Sequence, residues 1–240
     1  MAYLQTTINN ILIPQVLAIE KDFLIVYKAP RMHTAPLAKS PGDNLVNWCA
    51  EEFPEIMLLP GRKAGEGGLL HRLDFQTHGL VLIARTLAGI QSLAQQQGEG
   101  KIIKEYSALT AESNMVLPGF PPEKPKQQLI KSAFRPYGPG RKAVRPVLGE
   151  GEQYITEILQ APDISTGILS LRIRILKGFR NQIRCHLAWL GRPILNDSLY
   201  GGTPHGNGLL GLRACSLSFS DPSSGQERSY AIPPIEPDEV

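Results

Sequence analysis

Three groups of residues in this 240-residue chain have types and spacing suited to chemistry. The first is His71-Arg72-Leu73-Asp74, followed by Thr77 and Gly79 and then the apolar Leu80 to Ala84. A carboxylate between glycines, beside an arginine and before a buried strand, is well placed to be positioned rigidly yet face a cleft. The same residues fit an ion pair between Asp74 and Arg72, or a turn capped through Thr77. The second group, Gly178 to Leu187, sets Arg180 and Arg184 one helical turn apart near a helix N-terminus. Guanidinium groups there suit a phosphate or a buried carboxylate, and equally a solvated basic face. The third is Lys104-Glu105-Tyr106, opening a strand in which Tyr106 is a core aromatic or a stacking platform for a base.

The apolar pattern predicts the elements that carry these groups. Val16 to Ile19 and Phe23 to Tyr27, split by Lys21-Asp22, read as a hairpin. Pro30 and Pro36 impose a loop, and Asp43 is placed to cap a helix that ends before Pro54. Gly61 to Gly68 reads as a mobile surface loop. Leu69 to Leu73 and Gly79 to Ala84 are strand segments, which puts Asp74 at a strand end or loop. Thr86 caps a helix from Leu87 to about Gln97, Lys101 to Thr110 alternates as a strand, and the proline-rich Pro118 to Gly140 is an irregular excursion. Gln153 to Gln160 and Leu169 to Leu176 are strands. Asn181 to Leu190 is an amphipathic helix with Ile183, Leu187 and Leu190 on one face, ended by Gly191 and Pro193. A last strand, Leu212 to Phe219, precedes a proline-rich acidic tail. Strands outnumber helices without a βαβ rhythm, so the fold class is α+β with a mixed, largely antiparallel sheet.

Composition narrows the class further. With 42% hydrophobic and 20% charged residues, collagen-like, coiled-coil and disordered chains are excluded. The net charge of +3 conceals a segregation along the chain. Lys124 to Arg145 holds seven Lys/Arg and no acid, and Arg172 to Arg192 holds six and no acid. The remaining 12 bases face all 22 acids, so the chain reads as an acidic body with a basic working face for a polyanion. Cys49, Cys185 and Cys215 are too few and too scattered for a disulfide framework or a zinc site. The glycine-rich stretches lack a P-loop ending, and no histidine spacing suits a metal. The expectations are a cytoplasmic protein, no membrane span, no metal and no cofactor, with monomer as the default.

The three groups, taken in order with Gly191-Arg192-Pro193-Ile194 and Asp197-Ser198-Leu199-Tyr200-Gly201, resemble the signature of the RluA-type RNA pseudouridine synthases. The resemblance spans about Val16 to Phe219. It implies the pseudouridine synthase fold, with flanking helices and a central RNA-binding cleft, as one catalytic domain over residues 1–240; many relatives carry an N-terminal RNA-binding domain, and with only about 15 residues before the first strand none is expected here. It implies Asp74 as the catalytic residue, Tyr106 packed on the target uracil and Arg184 paired with Asp74. Ile183 would lie beneath the base, and Arg72 would fill the gap left by the flipped nucleotide. His71, Arg180 and Lys104 complete the expected substrate contacts. The implied partner is ribosomal or transfer RNA, with isomerisation of uridine as the reaction. The other reading open at this point is an RNA-binding or ribosome-assembly factor that keeps the fold with little or no catalysis. The chain departs from the family pattern at His78, Asn181 and Asn196, where Ser, His and Gly are usual, and Lys28-Ala29-Pro30 resembles the family's early Lys-Pro turn with one residue more.

Overall fold

The computed structural model describes residues 4–5, 8–37, 42–125, 128–149, 151–165 and 167–240. In chain order its elements are β1 (Leu4–Gln5), β2 (Gln15–Ile19), β3 (Phe23–Lys28), α1 (Leu45–Glu52), β4 (His78–Ala84), α2 (Leu87–Gly98), β5 (Ile103–Ala111), β6 (Leu129–Tyr137), β7 (Ala143–Val147), β8 (Tyr154–Gln160), β9 (Asp163–Ser165), β10 (Ile168–Ile175), α3 (Gln182–Leu190), β11 (Leu212–Ser220) and β12 (Glu227–Ala231). This is the expected α+β architecture with a mixed sheet, antiparallel in pairs such as β3 with β4 and β8 with β10, and parallel where β1 meets β12. The chain divides into two compact units, Met1–Lys104 with Ala214–Pro233, and Glu105–Arg213 with Pro234–Val240.

In the first unit the strands run in the order β2-β3-β4-β11, with β12 on the far side of β11. Phe23–Lys28 and His78–Ala84 are buried at every position, so their continuous apolar runs are what a strand covered on both faces requires. Thr86 caps α2 by accepting from the Gly89 N–H at 3.0 Å, and Ile90 and Leu93 bury against a core that includes Phe23, Leu82, Leu217 and Tyr230. Three expectations need correction in this unit. Asn44, not Asp43, caps α1, because its Oδ1 lies 3.1 Å from the Asn47 N–H. Residues 69–73 form no named strand: Leu69 makes a single bridge to Ile83, and the Leu70 N–H reaches Leu82 O at 3.3 Å. The loop read as mobile is pinned at its C-terminal end, where Gly68 bonds both Ile56 and Ala84 through its backbone. Beyond the last strand read from the sequence, the tail supplies a further one, β12.

In the second unit the order is β5-β10-β8-β6-β7. β6 changes partner midway, pairing its first half with β8 and its second half, from Ala133 to Tyr137, with β7. The stretch read as an irregular excursion therefore contains a strand, and Pro136 is tolerated there opposite Val144 in a two-stranded arm. Lys126, within the first basic segment, lies outside the described residues. α3 is not amphipathic, since every residue from Gln182 to Trp189 is buried. Its polar side chains are interior anchors. Gln182 Nε2 donates to Ile155 O at 2.9 Å, and His186 lies 2.9 Å from Ser132 Oγ and 2.8 Å from Thr156 Oγ1. Burial pushes His186 down to about 3, so the ring is neutral and works purely as a hydrogen-bonding spacer.

Gly79 opens β4 at φ +121, and a Cβ there would stand 2.3 Å from Ala214 O. Gly79→Ala is therefore expected to cost ~2 kcal/mol or more of unfolding free energy, read as a lower urea midpoint at unchanged slope. An unaltered midpoint would show that β4 and β11 part without penalty.

Candidate functional site

Asp74 sits half-buried at the start of a turn, its carbonyl accepting from the Thr77 N–H at 3.1 Å. The backbone on either side of it is clamped. Thr34 Oγ1 donates to Leu73 O at 2.7 Å and accepts from Leu73 N at 3.1 Å, so one hydroxyl replaces both bonds of a strand pairing. Lys28, fully buried at the end of β3, donates from Nζ to Ala29 O at 2.9 Å, Met32 O at 2.8 Å and Phe75 O at 3.4 Å. Three carbonyls thus absorb three ammonium hydrogens. Burial nevertheless pushes Lys28 down to about 7, against the opposing pull of the Asp74 charge. Phe75 packs its ring 4.6 Å from His33, and the Leu73 side chain is buried. The loop is rigid because its neighbours are fixed through backbone atoms.

His71 lies behind this loop. Its Nε2 accepts from the Leu82 N–H of β4 at 3.1 Å, which places the proton on Nδ1, and burial with the nearby charges of Lys104 and Arg62 pushes it down to about 3. Lys104 is buried at the unit's edge and pushed down to about 8 by desolvation and Arg62. Arg72 projects outward, its side chain 46% exposed, with Glu66 3.3 Å away. The alternative sequence reading, an Arg72 pair with Asp74, gives way to this pair with Glu66.

In the second unit Tyr106 is buried on β5, and the preceding Glu105 is gripped by two arginines of β10, Arg172 at 2.6 Å and Arg174 at 3.0 Å. Strand β5 is thereby fixed in register beside the ring. Arg184, on the first turn of α3, gives Nε and one terminal nitrogen to the two carboxylate oxygens of Asp197, both at 2.7 Å, and its other terminal nitrogen to Asn181 Oδ1 at 3.0 Å. Its guanidinium lies 5.6 Å from the Tyr200 ring centre. Ile183 is buried beside it, and Arg180 is exposed with its terminal nitrogen 2.8 Å from Arg141 O.

With this geometry in hand, comparison with known proteins is decisive. The family model described as RNA pseudouridylate synthase matches residues 22–189. The chain belongs to that family. Among its relatives, ribosomal large subunit pseudouridine synthase D of Yersinia pestis is 29% identical over 185 residues, covering 77% of this chain and 52% of the relative. The protein of the same description from Escherichia coli K12 is 28% identical over 187 residues, with 77% and 52% covered, and that from Vibrio parahaemolyticus is 27% identical over 236 residues, with 92% and 67% covered. The chain spans about half the length of the first of these relatives. Solved structures of the human RNA pseudouridylate synthase domain containing proteins 1 and 4 share the fold, with TM-scores of 0.63 and 0.62 at 18% and 17% identity; they cover 95% and 93% of this chain, and 86% and 90% of their own.

Within this member of the family, the site residues singled out from sequence fall into two sets. Asp74, Arg72, His71 and Lys104 lie in the first unit, and Tyr106, Arg180, Ile183 and Arg184 in the second. Sequence reasoning missed Thr34, which no motif announces, and gave no role to Asp197, although it stands inside a matching block. The signal available for Asp197 was physical: a buried arginine in an acid-free stretch needs a carboxylate from elsewhere. Among the described residues no three His, Cys, Asp or Glu side chains gather to hold a metal, and no helix is long and apolar enough to cross a membrane.

Lys28 gives the site a pH signature. Between about pH 7 and 10.5 the unfolded chain carries more protons on this lysine than the folded chain, so its contribution to stability rises with pH across that window and is flat below it. Compared with Lys28→Met, the wild-type protein should gain unfolding free energy as pH rises from 7 towards 10. A pH-independent difference between the two would show that Lys28 does not titrate in that range.

Proposed function

We propose that this protein isomerises specific uridines to pseudouridine in structured ribosomal or transfer RNA, with Asp74 as the catalytic residue. The observation that carries this reading is the clamped backbone on both sides of Asp74, inside the segment that matches the family. The reaction breaks the N1 glycosidic bond, turns the uracil and rejoins it through C5. One ionised carboxylate, acting as nucleophile or base, suffices. Hydrolysis of a glycosidic bond instead uses a second carboxyl to activate water.

The other roles follow the family resemblance. Tyr106 stacks on the uracil, and its phenol offers no imidazole-like acid that would protonate the detached base. Ile183 supplies apolar support beneath the ring. Arg184 keeps Asp74 ionised, and a guanidinium held by both Asp197 and Asn181 is suited to such a fixed task. Arg72, on an exposed loop, occupies the space of the extruded nucleotide, whose unstacking costs a few kcal/mol. His71 and Lys104 act from behind the loop, and Arg180 meets the RNA backbone. Both units form one catalytic domain in this reading, working in the cytoplasm where such RNA is matured.

Phosphate contacts must offset the cost of base flipping, and the β6–β7 arm is fitted to make them. Lys131, Arg135, Arg141 and Lys142 are exposed, and among the described residues none is in an ion pair. By contrast Arg172, Arg174, Lys177, Arg184 and Arg192, all in the second basic segment, each have a carboxylate partner. In this reading the arm carries the main phosphate contacts, and of Arg172 to Arg192 only Arg180 is without a carboxylate partner among the described residues.

Asp74→Asn should abolish pseudouridine formation in bulk RNA while leaving RNA affinity within about twofold, and Arg184→Lys should be nearly as inactive because an ammonium cannot reproduce the fork. Retained turnover in Asp74→Asn would overturn the assignment. Reversing the charge of Lys131, Arg141 and Lys142 together should weaken RNA binding and lower the slope of log K against log salt by about 2 to 3, with an unchanged melting curve. An unchanged salt slope would remove the arm from the RNA-binding surface.

A further inference from the structure

Where β6 leaves β8 to pair with β7, a cavity of about 250 Å³ opens between the strands. Three aromatic rings line it. Phe179 stacks on Phe134 with ring centres 5.1 Å apart and planes 12° apart, and Tyr154 leans on Phe179 at 5.0 Å. Phe179 keeps 37% of its surface exposed. Arg135 and Glu152 stand among the lining residues. The volume is below the roughly 300–1,000 Å³ of sites for drug-sized ligands, so it suits a single flat ring system.

A second observation concerns charge. Arg135 and Arg145 sit directly opposite each other in the β6–β7 register, and among the described residues neither has a carboxylate partner; Arg145 donates to Gly119 O at 2.5 Å, whereas Arg135 stands in the cavity lining. Like charges facing each other across a strand pair are destabilising. An anion bound at Arg135 relieves that repulsion. Aromatic rings around an open cavity, with Arg135 in its lining and without a carboxylate partner among the described residues, match the two ends of one nucleotide.

We propose that this cavity is a nucleotide subsite, separate from Asp74, that takes one unstacked base of the RNA substrate against Phe179 and its phosphate on Arg135. The inference rests on the RNA-modifying reading above and extends it. Besides the uridine to be isomerised, a second nucleotide is pulled out of the stack and held by the β6–β7 arm. Because every base has a π-face, stacking at this point secures the RNA and its register while tolerating different bases.

The test uses the whole protein and a nine-nucleotide single-stranded RNA as probe. In Phe179→Trp the indole fluorescence should be quenched by this RNA beyond the change seen in wild type, and not by the same backbone carrying abasic residues. Phe179→Ala should bind the RNA about tenfold more weakly, Phe179→Tyr should bind as wild type, and Arg135→Ala should lower the salt slope by about one. An unquenched indole, or Phe179→Ala and Phe179→Tyr binding with equal affinity, would overturn the subsite. Turnover separates the two readings. If wild type forms pseudouridine in bulk RNA and the indole stays silent, only the subsite fails. If the indole responds and no pseudouridine forms, the subsite stands and the isomerase assignment fails.

Discussion

A guanidinium taken out of water demands a carboxylate, and the pair of Arg184 with the fully buried Asp197 is the interaction around which the second unit is arranged. Asp197 does more than neutralise charge. Its Oδ1 also accepts from the Leu199 N–H, and its carbonyl collects the N–H groups of Tyr200 and Gly202. The Tyr200 hydroxyl then both accepts from and donates to the backbone of Val144, at 2.9 Å in each direction, tying the loop to β7. A loop of irregular backbone, the first turn of α3 and the edge strand thus share one buried charge pair. Removing one partner of such a pair costs about 3–5 kcal/mol, more than any surface ion pair of the chain supplies.

The two asparagines that depart from the family pattern belong to this same network. Asn181 and Asn196 both adopt the left-handed region, at φ +56 and +63, where asparagine is the side chain best able to stand in for glycine. Each repays its strain locally. Asn181 accepts from Arg184, and Asn196 bonds His205 and Leu209 across a glycine-rich loop that would otherwise be loosely held. A glycine at 196 would reach the same backbone angle without those bonds. The Asp74 loop is held by different means. Thr34 and Lys28 bond the backbone of residues 73 and 75, so the brace constrains where Asp74 stands through its neighbours.

Much of the fold was legible because it rests on local pattern. The hairpin of β2 and β3, the Thr86 cap, β8, β10 and the glycine end of α3 are each written in a few adjacent residues. What escaped was set by partners distant in sequence. β6 carries proline and glycine neighbours that read as irregular, and only its two partners make it a strand. α3 alternates polar and apolar residues like a surface helix, but Gln182, Arg184 and His186 find Ile155, Asp197 and Ser132 inside the unit. For the site, motif residues were identifiable by type and spacing. Thr34 was not, since a lone threonine 39 positions from its acceptor carries no local signature.

Charge shows most clearly why proximity along a chain misleads. Two acid-free basic segments looked equivalent in sequence, yet they meet opposite fates on folding. β10 lies beside β5, so Arg172 and Arg174 converge on Glu105, while Lys177 and Arg192 turn to Glu152 and Glu112. Their positive charge is consumed in holding strands and loops. The β6–β7 arm lies at the end of its sheet, with β7 as the edge, and among the described residues no carboxylate pairs with its cations. Its cations remain uncompensated, and Arg135 and Arg145 even oppose each other. Such an arrangement works against folding stability, and a polyanion that binds only the folded state repays that cost by mass action. The net +3 of the chain is therefore not spread evenly over its bases: those that strands and loops require are paired, and those on the arm have no carboxylate partner among the described residues.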